Sequence, residues 1–214
     1  MLNDSDFDSR QTKATSALSD SVHDENLWAN LKIGNELAFS MLYKRYVNRL
    51  FNYGMHSCKD RDLVKDCLQE LFARLWAKRE TLGVAGSVNY YLFKSFRRLL
   101  IAKLIANRKF SLPFRGEPTS VFEFIPPTED SIMEDEAKSH QLAMLKNSIN
   151  SLTKRQREAI FLKFFNDLSY HEISSIMELR VDSVYNLISK SIDVLRVKLK
   201  GSVIFMVLFC LFPG

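Results

Sequence analysis

Six of the nine residues from Asp182 to Lys190 carry hydrogen-bonding side chains: Asp182, Ser183, Tyr185, Asn186, Ser189 and Lys190. Interleaved with Val184 and Ile188, they lie largely off an apolar stripe, and groups of this kind suit base edges and phosphates in a major groove. The chemistry they indicate is recognition, not bond-making. His23, His56, His140 and His171 are isolated, and no Ser/His/Asp, HExxH or phosphate-loop arrangement occurs. Cys58, Cys67 and Cys210 form neither a CxxC pair nor a Cys/His ligand spacing. No enzyme activity, metal or cofactor is therefore expected.

The elements that must position these groups are written clearly. Thr153 with Gln156 and Ser169 with Glu172 each make a capping box, so two helix starts stand sixteen residues apart with Asn166 and Asp167 between them. From Ser169 a short helix turns Ile173 and Ile176 inward. Met177-Glu178-Leu179-Arg180 then supplies a tight turn, and a longer helix from Val181 buries Val184, Ile188 and Leu195. That is the spacing of a helix-turn-helix. The helix before it carries Lys154, Arg155, Arg157 and Lys163 against Glu158 alone, which suits phosphate positioning and makes Arg155 and Arg157 candidates for it.

A second basic element lies upstream. Ser87 caps a helix to about Asn107, and from Ser87 to Lys109 there are six basic residues and no acidic ones. Lys94, Arg97, Arg98, Arg108 and Lys109 fall within an arc of about 120° at 100° per residue, opposite Leu92, Phe96, Leu99 and Leu100. Lys103 alone falls on the wrong side. A solvated face normally mixes signs, so an unmixed stripe beside Tyr90 and Tyr91 favours a nucleic-acid backbone. Either tyrosine can also pack in the core.

Before these come a short helix from Asp24 to Ile33, a stop at Gly34, and an Asn35-capped helix whose Phe39, Leu42, Tyr43, Tyr46, Leu50 and Tyr53 read as core. Asp60 caps the next helix, with Leu63, Val64, Cys67, Leu68, Leu71, Phe72 and Leu75 on one face and Asp66, Gln69 and Glu70 sharing the other side. Cys67 reads as a small buried hydrophobe. Reversing the charge of Glu70 is expected to leave the thermal melt almost unchanged.

At 214 residues, 46% hydrophobic and 12% aromatic, the chain can build packed cores, and its net charge of +5 is segregated along the sequence. From Glu117 to Glu136 there are seven acidic residues and no basic ones, with Pro118, Pro126 and Pro127 opposing regular structure. The fold class expected is all-α: two small helical domains joined by a flexible acidic linker, the second containing the helix-turn-helix. The boundaries are a flexible arm over 1–23, a helical domain over 24–110, the linker over 111–130, a second domain over 131–200 whose first helix carries Leu142, Leu145 and Ile149, and an apolar tail over 201–214. The polar N-terminus argues against secretion and for a cytoplasmic protein.

Taken together, two basic helical modules around an acidic linker resemble an extracytoplasmic-function (group-four) sigma factor of bacterial RNA polymerase. Asp66-Cys67-Leu68-Gln69-Glu70-Leu71-Phe72 is similar to the family's Asp-x-x-Gln-Glu-x-Phe signature in region 2. The resemblance implies that Asp66, Gln69 and Glu70 dock on the β′ clamp helices of core polymerase. It implies that Asn89, Tyr90, Lys94, Arg97 and Arg98 open and read the −10 element, with a loop near 81–88 capturing a flipped base. Leu152 to Leu195 resembles region 4, reader of the −35 element. The implied partners are core RNA polymerase, through the β′ clamp helices and β flap, and promoter DNA. The apolar run Val203 to Phe212 is too short for a single spanning helix; folding back on region 4, membrane-surface contact and capture by a membrane-bound anti-sigma factor are all open to it. Glu178 stands where the family most often has Gly, Arg180 where Ser or Asn commonly caps, and Arg98 and Ala102 where Asn and Asp are frequent. The competing reading is a stand-alone dimeric helix-turn-helix regulator, which would footprint DNA without polymerase.

Overall fold

The computed structural model describes residues 23–84 and 86–199 except 111–143, with backbone alone for 108–110. Nearly all of the N-terminal arm, the acidic linker, Leu142 and the apolar tail lie outside the described residues. The described residues are helical, without strands: α1 over 23–32, α2 Glu36–Ser57, α3 Arg61–Ala77, a 3-10 turn Arg79–Thr81, α4 Val88–Phe110, α5 over 144–150, α6 Lys154–Ile160, α7 Tyr170–Met177 and α8 Val181–Lys198. They belong to two compact units, one holding α1, α2 as far as Met55, α3 and α4, the other holding α5 to α8.

In the first unit α2, α3 and α4 each begin where a short polar side chain can satisfy an orphan N–H. Asn35 Oδ1 accepts from Ala38 N at 3.1 Å, Asp60 Oδ1 from Leu63 N at 3.0 Å and Ser87 Oγ from Tyr90 N at 3.1 Å. Gly34 takes φ +84° between α1 and α2, the left-handed stop expected of it. Leu42, Tyr46, Leu50 and Tyr53 of α2, Val64, Cys67 and Leu71 of α3, and Leu92, Phe93 and Phe96 of α4 form the core. The close crossing depends on Gly54, where an added Cβ would stand 2.7 Å from Val64 Cγ1 and 3.1 Å from Phe96 Cζ.

Two of the expected core aromatics sit elsewhere. Phe39 is half-buried and Tyr43 is 42% exposed. They pack edge-on against Phe72, and Phe39 also against Trp76 at 5.1 Å, because the apolar stripe of α2 is wider than the surface that α3 and α4 cover. α1 is held by a buried carboxylate. Asp24 accepts hydrogen bonds from Arg45 Nη1 and from the Tyr46 hydroxyl, which compensates its removal from water. Burial first, and then this bond, push the Tyr46 phenol well above its ordinary pKa.

The second unit has both capping boxes: Thr153 with Gln156 on α6, and Ser169 with Glu172 on α7. The α6 helix does not run on regularly, however. Its continuation Phe161–Phe165 is a π turn, closed where Asn166 Nδ2 donates to Phe161 O at 3.2 Å. In the helix-turn-helix itself Glu178 adopts φ 57°, ψ 45°, and Leu179 N donates to Ser174 O at 2.9 Å. Arg180 precedes α8 without any side-chain cap. Val184, Ile188, Ser191, Ile192 and Leu195 form the buried face of α8.

Candidate nucleic-acid interface

Turning Val184, Ile188 and Leu195 inward leaves the other side of α8 to solvent. Asp182, Tyr185, Asn186, Ser189 and Lys190 are exposed and Ser183 is half-buried. The six expected readers thus occupy one helix, mostly on one surface. Arg180 extends to within 3.8 Å of Asp182, so the N-terminal end of α8 carries an exposed ion pair rather than a cap.

Tyr185 is not a lone ring. It stacks on Tyr170, the first residue of α7, with centroids 3.8 Å apart and planes 11° from parallel. Lys163 lies over Tyr170 at 4.9 Å and donates to Leu168 O at 3.3 Å. Burial first, and then the Tyr185 phenol beside it, raises the Tyr170 pKa above its ordinary value. Sequence reasoning missed Tyr170, and it read Lys163 only as positive charge. The stacked partners are fifteen positions apart in different helices, beyond any local periodicity.

The two arginines of α6 part company. Arg155 is exposed, whereas Arg157 is half-buried and donates from Nη1 to Asn150 O at 2.7 Å. Arg157 thereby ties α6 to the C-terminal end of α5.

On α4 the structure brings Tyr90 and Lys94 together. Lys94 Nζ donates to the Tyr90 hydroxyl and sits 5.0 Å from its ring centroid. Arg97 and Asn89 are half-buried and Arg98 is exposed. Tyr91 packs edge-on against Trp28 of α1 at 5.0 Å. Trp28 Nε1 also donates to Gly83 O at 3.0 Å. With Leu82 and Val88 buried, the loop before α4 is pinned at both ends while Val84 stands 94% exposed.

Lys103, off the basic stripe, meets α3: its Nζ lies 2.9 Å from Glu70 Oε2, and Arg74 Nη2 donates to Glu70 Oε1. The bond from Lys103 holds the Glu70 carboxyl below its ordinary pKa, and the same bond raises that of Lys103. This corrects the expectation that Glu70 can be reversed without structural cost, since a lysine there would face two cations. Asp66 and Gln69 remain exposed beside it. Gln69 lies at the edge of a groove of about 560 Å³ between α2 and α3, with Phe39, Tyr43, Phe51 and Phe72 in its walls.

The two units match two family models in the same order, Sigma-70 region 2 over residues 42–109 and Sigma-70 region 4 over residues 142–192, together more than half of the chain. The ECF RNA polymerase sigma factor RpoE of Cereibacter sphaeroides is 24% identical over 163 residues, 76% of this chain and 86% of that protein. Among solved structures, CnrH in complex with the cytosolic domain of CnrY superposes with a TM-score of 0.54 at 20% identity, over 84% of this chain and 98% of that one. The sigma factor RpoE in complex with the anti-sigma factor NepR from Bartonella quintana gives a TM-score of 0.54 at 18% identity, over 77% and 98%. These two likenesses speak for the fold, and the family models for its kind. The helix-turn-helix and the helical unit before it are sigma regions 4 and 2, and the chain belongs to the extracytoplasmic-function sigma factors of the sigma-70 family, which bind core RNA polymerase and direct promoter recognition and transcription initiation.

Proposed function

We propose that three surfaces divide the work of this sigma factor. Asp66, Gln69 and Glu70 on α3 form the contact with the β′ clamp helices of core polymerase, and Arg74 and Lys103 hold the Glu70 carboxylate in place for it. Asn89, Tyr90, Lys94, Arg97 and Arg98 on α4 hold the opened −10 strand, with the loop anchored by Trp28 receiving an unstacked base. Ser183, Tyr185 and Asn186 near the start of α8 read the −35 element, flanked by Asp182. Arg155, Ser189 and Lys190 meet its phosphates. Arg157 leaves this set, because its guanidinium is engaged with Asn150.

The observation that carries this division is the Glu70–Lys103 bridge. It accounts for Lys103, the one lysine that departs from the α4 stripe, by tying it to the α3 surface. The working domains on this reading are 24–110 and 131–200, and transcription places the protein in the cytoplasm. No helix among the described residues is long and apolar enough to cross a membrane. Because the CnrH and RpoE structures are complexes with CnrY and with the anti-sigma factor NepR, we include an anti-sigma protein among the partners.

Run-off transcription with purified core polymerase and genomic fragments tests the reading and returns the promoter sequence. Core-dependent transcripts sharing −35 and −10 elements are expected. A palindromic footprint formed without core would favour the stand-alone regulator instead.

A further inference from the structure

The pair Tyr170–Tyr185 has a property that neither residue has alone. An exposed tyrosine on a helix is free to change rotamer, and a contact made through it must overcome that freedom. Tyr185 is 51% exposed, yet one side of its ring is taken by Tyr170 at 3.8 Å. Tyr170 is itself fixed at its root. It is the first residue of α7, directly after the Ser169–Glu172 capping box, and its ring lies under a Lys163 ammonium that is anchored on Leu168 O. Order therefore passes from the cap and the backbone, through Tyr170, to the flat apolar ring of Tyr185 on the exposed side of α8.

A major groove offers polar base edges and one apolar group, the 5-methyl of thymine. Ser183 and Asn186 can serve the former, and a ring held at a set angle suits the latter. We propose that Tyr185 reads a thymine 5-methyl group in the −35 element and that Tyr170 is the positioning residue that holds its ring for this contact. The inference rests on the reading of α8 as the groove-entering helix and names one specificity determinant of it.

The test uses the full-length chain with core polymerase on a promoter selected from a randomised −35 library. Each −35 thymine is replaced singly by deoxyuridine, which removes only the methyl. One replacement should weaken promoter binding by about fourfold, the worth of one buried methyl. Tyr170→Phe, which keeps both the stack and the Lys163 contact, should retain that discrimination. Tyr170→Leu and Tyr185→Leu should each abolish it at the same position, and the double variant should do no more than either alone. All variants are assayed well below their measured melting temperatures.

A wild type indifferent to every such replacement overturns the proposal without recourse to any variant. Discrimination that survives Tyr170→Leu but not Tyr185→Leu overturns the positioning role while leaving Tyr185 a reader. If no α8 substitution alters −35 ranking although transcription still needs core, the reading of α8 itself fails, and the proposal with it.

Discussion

Replacing Glu178 with glycine should stabilise this protein. At φ 57°, ψ 45° the residue occupies the left-handed region, which costs an L-residue roughly 1–2 kcal/mol. Glycine removes that cost but adds roughly 0.5–1 kcal/mol of conformational entropy to the unfolded chain. The side chain is exposed, so no packing is lost, and the Leu179 N to Ser174 O bond is a backbone interaction that glycine can keep. The net gain is about 0.5–1 kcal/mol, which moves a urea midpoint up by roughly 0.3–0.5 M at a slope near 2 kcal/mol/M. Asp167 supplies the control. It too has positive φ, at 52°, but aspartate tolerates this region better, so Asp167→Gly should gain less than Glu178→Gly. Far-UV circular dichroism in urea measures both. A midpoint for Glu178→Gly at or below wild type, or a larger rise for Asp167→Gly, would refute the accounting of strain.

The remaining expectations concern the three surfaces. Asp66→Lys should weaken core binding in a pull-down with little change in the thermal melt. Glu70→Gln should also lower the melt. Because the Glu70 pKa is depressed on folding, its stabilising share is present above the ordinary carboxylate pKa and disappears as pH falls through the folded value; the melting gap to wild type should therefore close in acid. Trp28→Phe keeps an aromatic ring for Tyr91 but loses the hydrogen bond to Gly83 O, worth about 1 kcal/mol. Permanganate reactivity of unpaired thymines should fall for it, as for Arg98→Ala, more than closed-complex formation does. On α8, Asn186→Ala should reorder the preferred −35 sequences, whereas Lys190→Ala should weaken all alike and flatten the salt dependence by about one unit of slope. A randomised −35 library probed at several salt concentrations separates the two.

What could be read from the sequence was local. The caps at Asn35, Asp60 and Ser87 and the two boxes each depend on residues within one turn of each other, where spacing determines contact, whereas Glu178 and Arg180 stood out only against the family's pattern. The α8 surface was legible for the same reason, since its buried and exposed residues alternate with the helical period. Contacts between elements were not legible. Lys103 looked like a defect in a stripe until α3 supplied Glu70, and Arg157 looked like a phosphate ligand until Asn150 took its guanidinium. The π turn escaped because the fifteen residues between Thr153 and Ser169 are compatible with one regular helix and a loop. Trp28 and Gly83 are fifty-five positions apart, and no pattern along the chain pairs them.

Gly54 has a consequence for genetics. An alanine Cβ there would stand 2.7 Å from Val64 Cγ1 of α3 and 3.1 Å from Phe96 Cζ of α4, both wholly buried, so the Val64 side chain must move and the Phe96 ring must give way slightly. One added methyl group would thus disturb, at one point, the packing of the helix assigned to core polymerase and of the helix assigned to the −10 element. A screen for lost promoter activity would recover Gly54 alongside surface residues, as an allele defective in two steps at a position that solvent does not reach. Such an allele should be suppressed by smaller side chains at position 64, Val64→Ala first, rather than by changes in the promoter.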